Sequence, residues 1–166
     1  MHTPVKIISV RQPWAWLICE GPKDIENRTW LAKYRGPLLI AASAVRPTAR
    51  AWRAAADFAL ARGVTIPPRS ALQFGGIVGA ATLEDTVRSH ASHWFEGPVG
   101  LVLANRRPVA FVPIKSQLKL FNAPETVLAV MSAHGAKGDV RSQPDVHYRS
   151  GRKWARPSAS KQDSAI

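Results

Sequence analysis

Short apolar runs, separated by glycine, proline and charged residues, recur along most of the chain, as is typical of β-strands. The β-branched run at residues 5–10 predicts the first strand. Later runs predict five more strands, at residues 24–30, 38–42, 75–83, 99–103 and 109–114. Residues 105–108 are predicted to connect the last two of these. We therefore expect a sheet of about six short strands.

Three helices are predicted around these strands. Pro13 suits the first turn of a helix, and the apolar segment 14–20 that follows it predicts a short helix. The segment 47–62 has apolar residues at helical spacing, namely Ala49, Trp52, Ala56 and Leu60. A last helix is expected at 125–133. Because strands and helices do not alternate regularly, the sequence favours an α+β fold with a small β-barrel or strongly bent sheet.

The chain of 166 residues has the length of one domain with a short extension. Beyond about Gly135 the hydrophobic periodicity is lost, and Ser, Gly, Pro and basic residues dominate. Such a composition buries too little apolar surface to offset the entropy lost on ordering. We expect a folded domain over residues 1–134 and a disordered basic tail over residues 135–166.

The charge of the chain is strongly positive. Lys and Arg number 23 against 11 Asp and Glu, which gives a net charge of +12 and a pI near 10.9. Residues 1–135 alone carry sixteen basic and eight acidic residues, so the charge is not confined to the tail. Because a positive field attracts polyanions whatever the fold, nucleic acid is the expected partner. Three arginines of the second helix are assigned to a solvated face: Arg46, Arg50 and Arg53.

Several classes of protein find no support in the sequence. Cys19 is the single cysteine, which excludes an intramolecular disulfide and any multi-cysteine zinc site. His90 and His93 lack a third ligand, so no metal or other cofactor is expected. We find no signal peptide and no uncharged apolar stretch of about eighteen residues. The sequence therefore predicts a cytoplasmic protein with no membrane partner.

Residues that carry chemistry crowd on both sides of the first predicted helix. Residues 9–15 read SVRQPWA, and residues 21–30 read GPKDIENRTW. Side chains alternate between the faces of a strand, so Glu26 and Arg28 are expected to share one face. Glu26 is then either the ion-pair partner of Arg28 or a functional carboxylate. Trp14 is the preferred stacking residue, since an accessible indole stacks on bases.

The elements R-Q-P-W-A and G-x-K-x-x-E-x-R, followed by the segment 34–43, resemble the ASCH domain of the PUA-like superfamily. The resemblance covers roughly residues 5–125. It implies a small β-barrel with flanking helices and a cleft beside the first helix, lined by those two motifs. It also implies an RNA partner, since relatives include readers of RNA modifications and transcription coactivator modules.

The same resemblance implies an enzymatic alternative. Some bacterial members cleave single-stranded RNA or remove the acetyl group from N4-acetylcytidine, so the alternative for this chain is a metal-independent ribonuclease or amidohydrolase. The motif of the amidohydrolase branch reads K-x-x-T, and Lys23 matches its lysine, whereas Glu26 stands at the threonine position. Glu96 is the nearest candidate for a third catalytic group.

Three functional hypotheses follow. The first is an RNA-binding domain that takes a nucleotide or single-stranded RNA into a basic cleft, with five contact residues: Arg11, Gln12, Trp14, Lys23 and Arg28. The amide of Gln12 would read a base edge through its donor and acceptor. The second is a hydrolase acting on RNA or a nucleoside, with Lys23 and Glu26 as an acid–base pair. The third is a protein-interaction module whose basic charge is incidental.

Overall fold

The computed structural model describes residues 3–136. It contains six strands and three α-helices in this order: β1 Lys6–Val10, α1 Trp14–Cys19, β2 Ile25–Arg28, β3 Gly36–Ala42, α2 Ala49–Leu60, β4 Gly76–Val87, β5 Val99–Pro113, β6 Leu120–Asn122 and α3 Glu125–Ala136. The predicted boundary near residue 135 falls inside α3. Residues 137–166 of the predicted tail lie outside the described residues.

All six strands belong to one sheet, in the order β2-β5-β4-β3-β1-β6. Strands β1 and β3 pair in parallel, and every other neighbouring pair is antiparallel. The sheet curls into a half-barrel, and α1 packs against β3, β4 and β5. The predicted α+β fold with a strongly bent sheet is confirmed.

Strands β1 and β3 lie inside the sheet and are buried on both faces, which is why they read as nearly continuous apolar runs. Ile8 packs with Leu38 and Ile40 in a cluster that also holds residues of α1. Ile7 and Leu39 point to the opposite face, where residues of β6 and α3 pack. The sheet therefore has a core on each side.

A third apolar cluster fixes α1 from its outer side. Leu17 of α1 packs there with Ile25 of β2 and Ala59 of α2, and Trp94 completes the cluster. The short helix is thus held between the curled sheet and α2. Residues at its two ends are positioned by the core, and they include most of the candidate functional residues.

The structure differs from the predicted elements at three places. Residues 99–113 form one continuous strand rather than two, because the predicted connection pairs with β4 through register shifts, with Asn105 at a φ of 50°. Strand β6 has only three residues and was not predicted. The buried face of α2 is formed by Ala55 and Ala59, whereas Leu60 is 62% exposed. The predicted face of that helix is therefore wrong by part of a turn.

The single thiol is deeply buried where α1 packs on β4. Burial raises the pKa of Cys19 from 9.0 to about 12. The thiolate population at neutral pH is therefore about a thousandfold below that of an exposed thiol, and only the thiolate is nucleophilic. Native protein is expected to react with iodoacetamide at least that much more slowly than protein unfolded in urea. Mass spectrometry measures the rate of alkylation, and equal rates in the native and unfolded states would contradict this packing.

No helix within residues 3–136 is long and apolar enough to cross a membrane. This finding concerns the described part of the chain alone.

Candidate functional site

A cleft of about 560 Å³, lined by both charged and apolar groups, opens beside the start of α1. Its inner wall comes from the end of β1, from α1, from β2 and from the residue after β3, and its outer wall comes from the loop between β5 and β6. The lining residues are Ser9, Arg11, Trp14, Glu26, Asn27, Arg28, Ser43, Ser116, Gln117, Leu118 and Lys119. A volume of this size lies within the range of about 300–1,000 Å³ that small-molecule sites occupy.

Three charged residues of the K-x-x-E-x-R element form a linked group at the base of the cleft. Lys23 Nζ lies 3.1 Å from Glu26 Oε2 and also donates a hydrogen bond to the carbonyl oxygen of Ile25. Glu26 Oε1 lies 3.3 Å from Arg28 Nε. Glu26 and Arg28 line the cleft, as the alternation along β2 predicts, whereas Lys23 is 3% exposed and lies behind them.

The guanidinium of Arg28 ties β2 to β1. Its terminal nitrogen donates a hydrogen bond of 2.6 Å to the carbonyl oxygen of Ser9. The two strands are not neighbours in the sheet, so this bond spans the opening between them. Arg28 is therefore held at the floor of the cleft by its own hydrogen bond as well as by the charge of Glu26.

Gln12 has a different place from the one predicted. The side chain is 2% exposed and does not line the cleft. Its Oε1 accepts a hydrogen bond from the backbone N–H of Trp16, and its Nε2 donates to the carbonyl oxygen of Gln73, both at 3.0 Å. Because both ends of the amide are engaged inside the protein, Gln12 supports the start of α1 rather than presenting a base-reading edge.

Trp14 lies on the cleft wall at the first residue of α1. Its ring meets Phe58 of α2 edge-on, with the centroids 5.5 Å apart and an interplanar angle of 83°. Lys23 Nζ lies 6.0 Å from the Trp14 ring centroid. The indole of Trp14 is half-buried and oriented by these contacts. Trp94, by contrast, is 6% exposed and belongs to the core.

Arg106 is a positioning residue that the sequence analysis did not identify. One terminal nitrogen of its guanidinium donates to the carbonyl oxygens of Ile18, Gly21 and Lys23, at 2.9–3.0 Å. Burial lowers the pKa of Arg106. These bonds satisfy carbonyl groups at the end of α1 and fix the turn that delivers Lys23. No local motif marks this arginine, because its partners are about 85 residues away.

The loop between β5 and β6 is the second part of the site that the sequence analysis missed. Residues 115–119 are all exposed, and Leu118 is 92% exposed. Lys119 adopts a φ of 56°. No apolar periodicity or motif marks this segment, so its place on the cleft lining together with Glu26 and Arg28 becomes evident only in the folded chain.

The cleft carries an excess of positive charge. Arg11, Arg28 and Lys119 line it, and Glu26 is its single acidic lining residue. Lys23, directly behind Glu26, offsets that carboxylate. Arg50 and Arg53 of α2 are exposed as predicted, and so is Arg46, which lies before the helix begins.

The remaining predicted candidates do not line the cleft. Glu96 is exposed, and its backbone N–H donates to Asn27 Oδ1 at 2.9 Å. His90 and His93 are exposed as well. Within residues 3–136, no group of three or more histidine, cysteine, aspartate or glutamate side chains is arranged to hold a metal ion.

The half-barrel of six strands with three helices defines a domain of the PUA-like class, as the resemblance implied. The sequence model of the ASCH domain matches residues 8–116, and the chain belongs to the ASCH domain family. Activating signal cointegrator 1 from Homo sapiens is 35% identical over 79 residues, which are 47% of this chain and 14% of that protein. The Mus musculus protein of the same name is 34% identical over the same shares of the two chains.

A solved relative shows the same fold. The crystal structure of ASCH from Zymomonas mobilis superposes with a TM-score of 0.51, covering 80% of this chain and 96% of that one at 14% identity. The curated relatives are far longer than the segment they share with this chain. The family and the fold are thus established by the comparisons, and the ligand is a separate question.

Proposed function

We propose that this domain binds single-stranded RNA and takes one nucleotide into the cleft. The observation that carries the proposal is the composition of the cleft. Arg11, Arg28 and Lys119 surround a space of about 560 Å³, and an oriented tryptophan lies on its wall. Single-stranded RNA is recognised by this combination of cations for the backbone and a π surface for the splayed base.

Each lining residue then has a role set by its position. Arg11 and Lys119 meet backbone phosphates at the rim, and Trp14 stacks on the base. Arg28 contacts the ligand at the base of the cleft. Lys23 and Gln12 do not contact it: Lys23 holds Glu26 in place, and Gln12 supports the start of α1. The site predicted from the sequence is retained in this proposal, with two of its residues moved from contact to positioning.

Salt dependence tests the proposal. With two or three phosphates neutralised, the affinity for a short single-stranded RNA is expected to fall about tenfold between about 50 and about 200 mM NaCl. Arg11→Gln should weaken binding and make the salt slope shallower, because one phosphate contact is lost. Fluorescence anisotropy with labelled RNA measures both quantities.

The matched control is Arg88→Gln. Arg88 is exposed and does not line the cleft, so its loss changes the total charge by the same amount. Equal effects of the two substitutions would show diffuse attraction to the surface instead of binding in the cleft. No binding at low salt would contradict the proposed function itself.

The second candidate function is hydrolysis of RNA or of a modified nucleoside. The contact of 3.1 Å between Lys23 Nζ and Glu26 Oε2 favours it, since an ammonium and a carboxylate at that distance can exchange roles as acid and base. Wild-type protein incubated with N4-acetylcytidine or labelled RNA in the presence of a chelator tests it. Product that forms with the wild type and not with Lys23→Ala would show that the protein is a hydrolase rather than a domain that only binds RNA.

A further inference from the structure

Four exposed arginines on α2 and on the loops at its two ends form an arginine face: Arg46, Arg50, Arg53 and Arg69. Ser43 lines the cleft, and Arg46 follows it by three residues. Three residues of chain span at most about 11 Å, so the arginine face begins close to the cleft. Helix α2 also touches the cleft wall, because Phe58 packs edge-on against Trp14.

The charge of the arginine face is not neutralised by the described part of the protein. Within residues 3–136, none of its four arginines takes part in a salt bridge. Residues 43–75 contain five arginines, and Asp57 is their single acidic residue. Like charges three and four residues apart repel each other on a helix, so this arrangement costs stability unless an anion binds.

Two members of the arginine face are already held in place. The guanidinium carbon of Arg46 lies 4.3 Å from the centroid of the Phe74 ring, where the ring attracts the cation. Its N–H groups donate no hydrogen bond within the described residues, so they are available to a ligand. A terminal nitrogen of Arg69 donates a hydrogen bond of 2.8 Å to the carbonyl oxygen of Pro47, which keeps Arg69 beside the same loop. Side chains ordered in advance lose less entropy on binding.

The arrangement of these arginines favours a strand of phosphates as the partner. Residues three or four apart on a helix surface lie about 5–6 Å from each other, which is comparable with the distance between successive phosphates of a nucleic-acid strand. Arginine binds phosphate oxygens through two parallel N–H groups. The exposed residues of α2 next to Arg50 and Arg53 are Ala49, Ala51 and Ala54, which offer no large side chain to anchor a protein partner.

We propose that the arginine face is a backbone track, along which the RNA strand continues after one of its nucleotides enters the cleft. This inference rests on the proposed function and adds the path of the rest of the strand. The track contacts phosphates alone, so it increases affinity with RNA length and does not select a base sequence.

Binding of a uridine trinucleotide and of a uridine decanucleotide to the full chain, measured by fluorescence anisotropy, tests the track. The double variant Arg50→Gln/Arg53→Gln is expected to bind the decanucleotide about tenfold more weakly at about 100 mM NaCl, and the trinucleotide within about twofold of the wild type. For the decanucleotide, the slope of log affinity against log salt should become shallower by about 1.4, since each phosphate contact on a single strand contributes about 0.7. A longer oligomer also offers the cleft more registers, which raises the affinity but leaves the slope unchanged.

The matched control is the double variant Arg88→Gln/Arg107→Gln. It removes the same charge from two exposed residues that belong neither to the cleft lining nor to the arginine face. Both oligomers should bind this control within about twofold of the wild type, because salt screens charges that do not contact the ligand. The melting temperature of Arg50→Gln/Arg53→Gln should be unchanged or slightly higher, since arginine and glutamine have similar helix propensities and a repulsion is removed.

The outcomes separate the track from the cleft. Arg11→Gln is expected to weaken binding of both oligomers, whereas Arg50→Gln/Arg53→Gln should weaken binding of the decanucleotide alone. Wild-type decanucleotide affinity and salt slope in Arg50→Gln/Arg53→Gln, equal losses for the two oligomers, or the same loss in the control variant would overturn the track and leave binding in the cleft intact. Binding of neither oligomer by the wild type at low salt would overturn the proposed function and the track with it.

Discussion

Glutamine in place of Glu26 is expected to lower the free energy of unfolding by about 3 kcal/mol. The substitution leaves the Lys23 ammonium in a site where its side chain is only 4% exposed, and removing one member of a buried ion pair typically costs several kcal/mol. It also leaves the guanidinium of Arg28 without its carboxylate. Urea unfolding followed by tryptophan fluorescence measures the loss.

Asp85→Asn is the matched control for that experiment. Asp85 pairs with Arg35 at 2.8 Å, but both side chains are more than one-third exposed. Exposed pairs contribute at most about 1 kcal/mol, so this loss should be small. Similar small losses for Glu26→Gln and Asp85→Asn would show that the charged group at the cleft floor is no more coupled to folding than a surface pair.

The large stability loss expected at Glu26 affects the interpretation of any functional variant of Lys23, Glu26 or Arg28. Loss of a partly exposed ion pair costs about 1 kcal/mol or less. The burial of Lys23 and Glu26 makes the cost larger. Activity or binding of Lys23→Ala must therefore be referred to the folded fraction, determined in the same buffer by a thermal melt.

Alanine in place of Gly79 is expected to destabilise the fold by about 3 kcal/mol, at the upper end of the usual cost of overpacking. A Cβ at this position would lie 2.0 Å from Cys19 Sγ, 2.9 Å from Cys19 Cβ and 2.9 Å from the carbonyl oxygen of Arg107. The sulfur can move, but the backbone oxygen belongs to the neighbouring strand β5. Because Gly79 has no Cβ, α1 can pack closely against this point of β4.

A second substitution tests that explanation. Cys19→Ala removes the sulfur, so the double variant with Gly79→Ala should be more stable than the sum of the two single effects predicts. The carbonyl contact remains, so the recovery should be partial. Equal stability of Gly79→Ala and the wild type, or strictly additive effects in the double variant, would contradict the packing of α1 on β4.

The elements that could be predicted from the sequence are those whose own residues carry a helical or strand pattern, without reference to distant partners. The β-branched run of β1, the apolar segment of α1 and the alanine-rich α2 are local patterns, and each is present close to its expected bounds. Strand β6 has only three residues and depends on pairing with β1 across more than one hundred residues, so no local pattern marks it. In β5, an asparagine and a proline resemble a connection, yet pairing with β4 and β2 outweighs these local preferences.

The candidate site divides in the same way. Alternation along β2 correctly placed Glu26 and Arg28 together, because the faces of a strand follow from residue number. Burial does not follow from residue number, and so Gln12 and Lys23 were expected on the cleft surface although they lie behind it. Arg106 and the loop at 115–119 reach the site through long-range packing, which a single sequence does not display.

The outer wall of the cleft is made by a segment on which the core does not depend. Residues 115–119 are exposed throughout, and surface loops accept changes of length and sequence readily, since doubling a loop costs only about 0.6 kcal/mol. Most of the inner wall consists of strand and helix residues, whose substitution disturbs the packing of the sheet. One side of this cleft can therefore accept substitutions and insertions at little cost in stability, whereas the other is fixed by the fold, so the ligand preference of such a domain can be changed through a segment of a few residues.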